Sequence, residues 1–267
     1  MDIHETLMTK RVAQTLDSVA DTGGIALITA PLGSGKTTAV AFAARDRRQV
    51  RTVTLVEGLS SARALYRHIA LSIGVPAPNQ SGAPDLITAV ADEVRRQRYT
   101  LVLDQCQRLK RPSAFDQVAS LADMTGTLVL VGPPALRARV IEHEECASHC
   151  TVPLALAEGV TLAELGDALE ADFARSWVGV VHEATGGCWR GVRTCVAAAI
   201  RASRRGNIST RMMGDDDARK LVGSVLLASR PLTAPKLATG GKPQASSEQV
   251  TERLTGHVDR AALAATG

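Results

Sequence analysis

The chain has 267 residues, 45% of them hydrophobic and 22% charged, with a formal net charge of +4. These totals are those of a globular protein of one large or two small domains, and no apolar run reaches the length of a membrane span. Aromatic residues make up 3%, so the core has to be built from Ala, Val, Leu and Ile, and the small positive charge permits a polyanionic partner without requiring one. The five cysteines are odd in number and lack the spacing of a disulfide scaffold. The opening stretch MDIHETLMTKRV has no signal-type apolar core. A reduced cytoplasmic compartment is therefore expected.

Taken in chain order, residues 1–22 read as an amphipathic helix broken by Gly23 and Gly24, and Ile25 to Thr29 reads as an apolar strand. A glycine-rich loop follows, then a helix from Thr37 to Ala44. Val50 to Glu57 alternates as a second strand. Ser60 or Ser61 caps a helix that carries Leu65, Ile69 and Ile73 on one stripe and ends at Gly74. Residues 75–84 form a proline-rich loop, and Asp85 is expected to cap the next helix. Strands follow at Thr100 to Asp104, Thr127 to Val131 and Thr151 to Leu154, with a helix opened by Pro112 and Ser113 between the first two. Strands alternating with helices predict a parallel, doubly wound α/β sheet.

After Pro153 the pattern turns helical, at 162–174, 177–185 and 192–204. The expected domains are a nucleotide-binding α/β domain over 1–152, a small helical lid over 153–205, and a flexible tail over 206–267 with partner-binding capacity. Residues 231–249, rich in Pro, Gly and Ser, read as a linker before a short terminal helix.

The chemistry centres on Ala30 to Thr38, APLGSGKTT, which matches the P-loop pattern except for Ala30 at its first position. A strand delivers the chain to a tight turn whose backbone N–H groups converge on phosphate, and the following helix adds its positive dipole end. Pro31, Leu32, Gly33, Ser34, Gly35, Lys36, Thr37 and Thr38 are the candidate nucleotide contacts. Gly33 and Gly35 let the backbone approach closely, Lys36 supplies a point charge for the β- and γ-phosphates, and Thr37 offers a hydroxyl to Mg²⁺. The second element is Leu101 to Asp104, an apolar strand ending in a carboxylate placed to support the same Mg²⁺. The strand read at 53–57 falls between the two motifs in sequence and places the chain among P-loop proteins with an additional strand there.

The order of these motifs resembles an AAA+ ATPase, and within that class the MuB/TniB/TnsC transposition ATPases and their relative ExeA. The similar stretches are Thr9 to Arg11, Ser61 to Leu65 through Gly74, Leu103 to Leu109, Leu128 to Gly132 with Ala135 and Leu136, and Thr185 to Arg190. They span roughly 9–205 of the chain. The resemblance implies a P-loop NTPase fold with a five-stranded parallel sheet and a helical lid, and ATP with Mg²⁺ as cofactors. It also implies a ring or helical homo-oligomer on duplex DNA and a transposase partner. The departures from the family pattern matter equally. Gln105 stands where the family has a Glu that polarises the attacking water, and an amide cannot take its proton, so hydrolysis should be slow. Pro133 replaces a polar first sensor, and His149 stands where an Arg would reach a neighbour's nucleotide. Arg190 matches the second sensor of the lid, and Glu57 is a candidate substitute base.

Two weaker signals remain. His143, Cys146, His149 and Cys150 have a metal-like composition, but side chains so spaced diverge, and a plain helix with small core thiols accounts for them equally. Arg108, Lys110 and Arg111 follow the Asp104 strand and suit either non-specific contacts to a DNA backbone or a solvated face. No recognition helix stands out. The leading expectation is an ATP-dependent, non-sequence-specific DNA-binding regulator of transposition, a target-selection adaptor with weak hydrolysis. The rivals are an active ExeA-like ATPase and a nucleotide-gated scaffold that never touches DNA.

Overall fold

The computed structural model describes residues 6–155, 160–169, 171–206 and 209–228, all within one contact-linked unit spanning Met1–Ala228. The linker and terminal helix expected beyond residue 230 lie outside these residues.

Helix α1 (Leu7–Thr22) opens on a capping box in which Thr6 and Thr9 bond each other's backbone N–H, and it stops at Gly23, whose φ is 72°. Strand β1 (Gly24–Thr29) runs into the glycine loop and helix α2 (Lys36–Ala44). Strand β2 (Val50–Thr54) and helix α3 (Ala62–Ser72) follow, the latter capped by the Ser61 side chain. Helix α4 spans Ala83–Gln97 and starts earlier than expected. Its N-cap is Gly82, and Asp85 sits one turn in, where its carboxylate accepts the Gly82 N–H at 3.0 Å. An acidic residue at N3 rather than at the cap is favoured because Pro84 fits the first turn, where no N–H is needed.

Strand β3 (Thr100–Asp104) is buried at every position. Helix α5 (Ser113–Thr125), strand β4 (Thr127–Gly132), short helices α6 (Ala135–Ile141) and α7 (Glu144–Ser148), and strand β5 (Cys150–Ala155) complete the α/β part. The five strands are all parallel, in the order β2-β3-β4-β1-β5. The additional strand between the P-loop strand and the Asp104 strand is therefore β4. Strand β2, which intervenes in sequence, lies at the sheet edge.

Alternation along each strand sorts the core into two layers. Leu101 pairs with Leu128 and Leu103 with Leu130, and with Ile25 and Leu27 these side chains meet α3, α4 and α5. Val102, Val129 and Ala26, one position along, meet α1 and α2 on the other face. Cover on both faces explains why these strands read as unbroken apolar runs.

The helical part follows with α8 (Leu162–Leu169), α9 (Arg175–Thr185), α10 (Trp189–Gly206) and α11 (Asp215–Ala228). Its core gathers Leu165, Phe173, Trp177, Val181, Val192, Cys195 and Val222. Phe173 and Trp177 stack with ring centroids 4.2 Å apart. Helix α11 corrects the reading of everything past 206 as tail. Its first turn, Asp215 to Asp217, is acidic at the positive end of the helix, and Ala218 and Val222 close the lid core. No helix among the described residues is long and apolar enough to cross a membrane.

Candidate nucleotide site

The site lies at the carboxyl end of the sheet, where β1 and β3 end on opposite sides of β4. Ala30 to Thr38 leave β1 in a loop that turns at Gly33 (φ 83°) and Gly35 (φ 101°), left-handed conformations that a side chain would strain. Gly35 is also the N-cap of α2, so the N–H groups of the first turn face out of the helix into the loop.

Lys36 is 9% exposed, and its ammonium donates to the carbonyls of Ala30 and Pro31 at 2.7 Å each. Burial pushes it below the ordinary lysine range, while the Asp104 carboxylate opposes the shift. The Thr37 hydroxyl donates to Asp104 Oδ2 at 2.7 Å, across a separation of 67 residues. Asp104 is buried, and its Oδ1 accepts the Gln105 N–H at 2.7 Å. That bond fixes Gln105 in the left-handed region, with φ 63° and ψ 40°.

The donor set is a hydroxyl beside a buried carboxylate, oxygen ligands of the hard type Mg²⁺ takes at such sites. Within the loop, the Ser34 hydroxyl is buried and has no hydrogen-bond partner among the described residues. A buried hydroxyl in a glycine cradle is a polar group awaiting an acceptor. By donor chemistry and by cradle, these residues fit a phosphate chain with its divalent cation.

A cleft of about 1200 Å³ opens above the loop. Lys36, Thr37, Thr38, Asp104, Gln105 and Arg108 line its floor, and Trp189, Arg190, Arg193, Thr194, Ala197 and Arg201 of α10 line its roof. Thr6, Met8 and Thr9 close one end. Among the described residues the side chains of Arg108, Arg190, Arg193 and Arg201 make no ion pair or hydrogen bond. Of the lining residues only Asp104 is acidic. The cleft is thus strongly cationic, as a polyphosphate site requires.

Of the loop residues singled out in sequence, Pro31 and the buried Ser34 are the two absent from the immediate lining, and Pro31 contributes its carbonyl to Lys36. Gln105 and Arg190 are both brought to the cleft. Glu57 is not. Strand β2 stops at Thr54, and Glu57 stands exposed in a turn outside the cleft lining. The basic run also divides. Arg108 faces the cleft, Lys110 is exposed, and Arg111 donates to the Ser60 carbonyl at 3.0 Å. These three do not form one surface, because the 3₁₀ turn at Cys106–Arg108 sends the first inward.

His149 pairs with Asp123 at 3.0 Å, and His143 stacks on Phe115 with its ring near Asp116. The two histidines are thus committed to α5, and among the described residues no three His, Cys, Asp or Glu side chains converge as metal ligands. Burial raises the Cys146 thiol to about 12, and Cys106 is fully buried, so both are inert core thiols. Arg193, Arg201, Thr6 and Met8 escaped sequence reading, and Thr9 and Trp189 entered it only within stretches of family resemblance, with no role given to either. The 3-4-4 spacing of 190, 193, 197 and 201 on one face of α10 was the signal available for the arginines.

This arrangement is a P-loop NTPase fold of AAA+ type, with a five-stranded parallel sheet and a helical part that follows it. Residues 19–140 match the family described as AAA domain. No curated protein matches the chain in sequence. Among solved structures, it is similar to CDC6P from Pyrobaculum aerophilum (16% identity, TM-score 0.64, covering 86% of this chain and 72% of that one). It is likewise similar to the Aeropyrum pernix ORC2 protein in its ADPNP-ADP complexes (18% identity, TM-score 0.62, covering 80% and 66%). A third is the Aeropyrum pernix ORC1 protein in complex with DNA (19% identity, TM-score 0.60, covering 93% and 76%). The chain spans just under two thirds of the ORC2 protein's length.

Proposed function

We propose that this protein is a nucleotide-gated switch that binds ATP with Mg²⁺, turns it over slowly, and uses the bound state to assemble on duplex DNA. The observation that carries the reading is the Thr37–Asp104 hydrogen bond of 2.7 Å beside the loop that holds Lys36. Backbone N–H groups of the loop and the Ser34 hydroxyl take the phosphates, Lys36 shifts from the Pro31 carbonyl toward the β- and γ-oxygens, and Thr37 with Asp104 holds the cation. The cation supplies charge neutralisation at the terminal phosphate. Arg190 and Arg108 approach the phosphates from roof and floor. Gln105 orients water without accepting its proton, so the rate of hydrolysis stays low. The choice of ATP rests on the family resemblance.

The DNA half of the proposal draws support from the neighbours, one of which was solved with DNA, and from the family resemblance. The finer reading is a target-selection adaptor for a transposase, working in the cytoplasm as a ring or helical homo-oligomer. It rests on the stretches that resemble the transposition ATPases. One observation favours a second reading, a scaffold that never touches DNA: Arg108 turns into the cleft and Arg111 is tethered to the Ser60 carbonyl, so the three do not present one basic surface to a duplex.

Co-sedimentation with random-sequence duplex DNA, with and without Mg·ATP, separates the two. Pelleting that requires ATP and is lost in Lys36→Ala supports assembly on DNA. Intact ATP binding without pelleting at low salt supports the scaffold.

A further inference from the structure

The lid does not merely cover the glycine loop; it is packed into it. Three consecutive residues, Cys188 just before α10 and Trp189 and Arg190 at its start, each approach a loop glycine. A Cβ on Gly33 would lie 2.6 Å from Cys188 Sγ, and a Cβ on Gly35 would lie 2.9 Å from Trp189 Cδ1. Between them the Arg190 N–H donates to the Gly33 carbonyl at 3.2 Å. The missing side chains at 33 and 35 thus admit the lid as well as phosphate, because either Cβ would stand closer than van der Waals contact allows.

The segment that makes these contacts is held firmly on its own side. Gly186 and Gly187 turn the chain in left-handed conformations (φ 57° and 70°), which only glycine adopts freely. The Gly187 carbonyl accepts the Val160 N–H at 2.9 Å, and the Cys188 N–H reaches the Thr185 carbonyl at 3.1 Å. A Cβ on Gly191 would meet Thr185 Cγ2 at 2.9 Å, so α10 leaves α9 with no slack. The Trp189 indole packs against the lid core that contains Trp177 and Val192. One edge of a rigid aromatic ring therefore rests on the lid core, and another rests on Gly35, the N-cap of the phosphate-binding helix.

We propose that Trp189 is a positioning residue that couples the lid to phosphate occupancy of the loop: the indole rests against Gly35, so the loop conformation that binds phosphate and the seated position of the lid favour each other. This rests on the nucleotide-binding reading above. Two consequences follow from the geometry. Negative charge arriving at the loop N–H groups arrives beside the indole, so nucleotide binding changes Trp189 emission. Removing the ring unseats the lid, and with it the Arg190 and Arg193 side chains that line the cleft roof, which lowers the fraction of binding-competent protein. A planar ring restores the contact where a methyl group cannot.

The test uses the full chain and Mg·ATP, with binding followed both calorimetrically and by tryptophan emission. Trp177, fully buried in the lid core, is the only other tryptophan and provides a constant background. The wild type is expected to show a saturable change in emission whose midpoint matches the calorimetric Kd. Trp189→Phe is expected to bind with affinity close to wild type and to show no such change. Trp189→Ala is expected to bind about tenfold more weakly, as when the competent fraction drops to about a tenth. Calorimetric binding by the wild type with unchanged emission overturns the coupling while leaving the nucleotide site intact. So does Trp189→Ala binding as tightly as the wild type. Absence of binding by the wild type overturns the nucleotide reading and the coupling together. Should Trp189→Ala fail to fold, Trp189→Leu, which keeps apolar bulk without the planar ring, takes its place: weakened binding supports the coupling, and binding as tight as that of Trp189→Phe overturns it.

Discussion

Replacing Gln105 by Glu tests the proposed reason for slow turnover. Gln105 follows the buried Asp104 directly, lines the cleft, and is held at φ 63° by its own N–H bond to Asp104 Oδ1. Glu has the same length and no greater difficulty than Gln in that conformation, so the backbone is expected to hold. A second carboxylate roughly 6 Å from Asp104 meets a repulsion of about 3 kcal/mol at an effective dielectric of 20, which the bound cation offsets. A positioned general base contributes about 10²- to 10⁴-fold in rate, or about 3 to 5 kcal/mol of barrier. Gln105→Glu should therefore raise the kcat for phosphate release by about a hundredfold or more, with ATP affinity nearly unchanged. Steady-state phosphate release, with binding measured separately, reads both quantities. An unchanged kcat in a folded variant that still binds ATP would refute the argument that the missing base limits the reaction.

Three further outcomes are expected. Asp104→Asn and Thr37→Ala should each reduce the Mg²⁺-dependent part of ATP affinity by about tenfold or more and leave binding in EDTA unchanged, as titrations with and without Mg²⁺ will show. Gly35→Ala places a methyl group against Trp189 at a φ of 101° and should cost about 1–3 kcal/mol or more, measured as a lowered urea midpoint. Glu164 is pushed upward by burial, but bonds from the Thr161 and Leu7 backbones and from the Thr161 hydroxyl outweigh that and leave it below the usual 4.5. Its contribution should be present above pH 4.5 and lost as pH falls through the lower folded value. Glu164→Gln should accordingly lower stability by about 0.5 kcal/mol at pH 7, solvent screening at this partly exposed site reducing the effect, with the difference closing in acid.

The parts of this fold that sequence made legible are those with local causes. The P-loop could be read because its glycines, lysine and threonines are contiguous, and the strands because burial on both faces leaves continuous runs such as Leu101 to Leu103. Asp104 could be paired with Thr37 because strand ends in a parallel sheet share one edge, and the structure brings the two within 2.7 Å. The illegible parts depend on contacts distant in sequence. Helix α11 offers an acidic turn and a Gly-Ser pair at 223 and 224, so its apolar stripe is thin, and it becomes a helix against α9 and α10. Nothing near Trp189 in sequence reveals that its ring meets Gly35, 154 residues earlier. Glu57 looked like a strand end because Leu55 continues the alternation, yet the ladder stops at Thr54 opposite Asp104 and the chain turns away.

The central claim is that Lys36, Thr37 and Asp104 form a working nucleotide site under the lid. Calorimetric titration of the full chain with ATP, with and without Mg²⁺ and beside Lys36→Ala, tests it most directly. The account predicts one site per chain, tightened by Mg²⁺ and lost in Lys36→Ala. Equal heats for wild type and Lys36→Ala, or no binding by either, would contradict it.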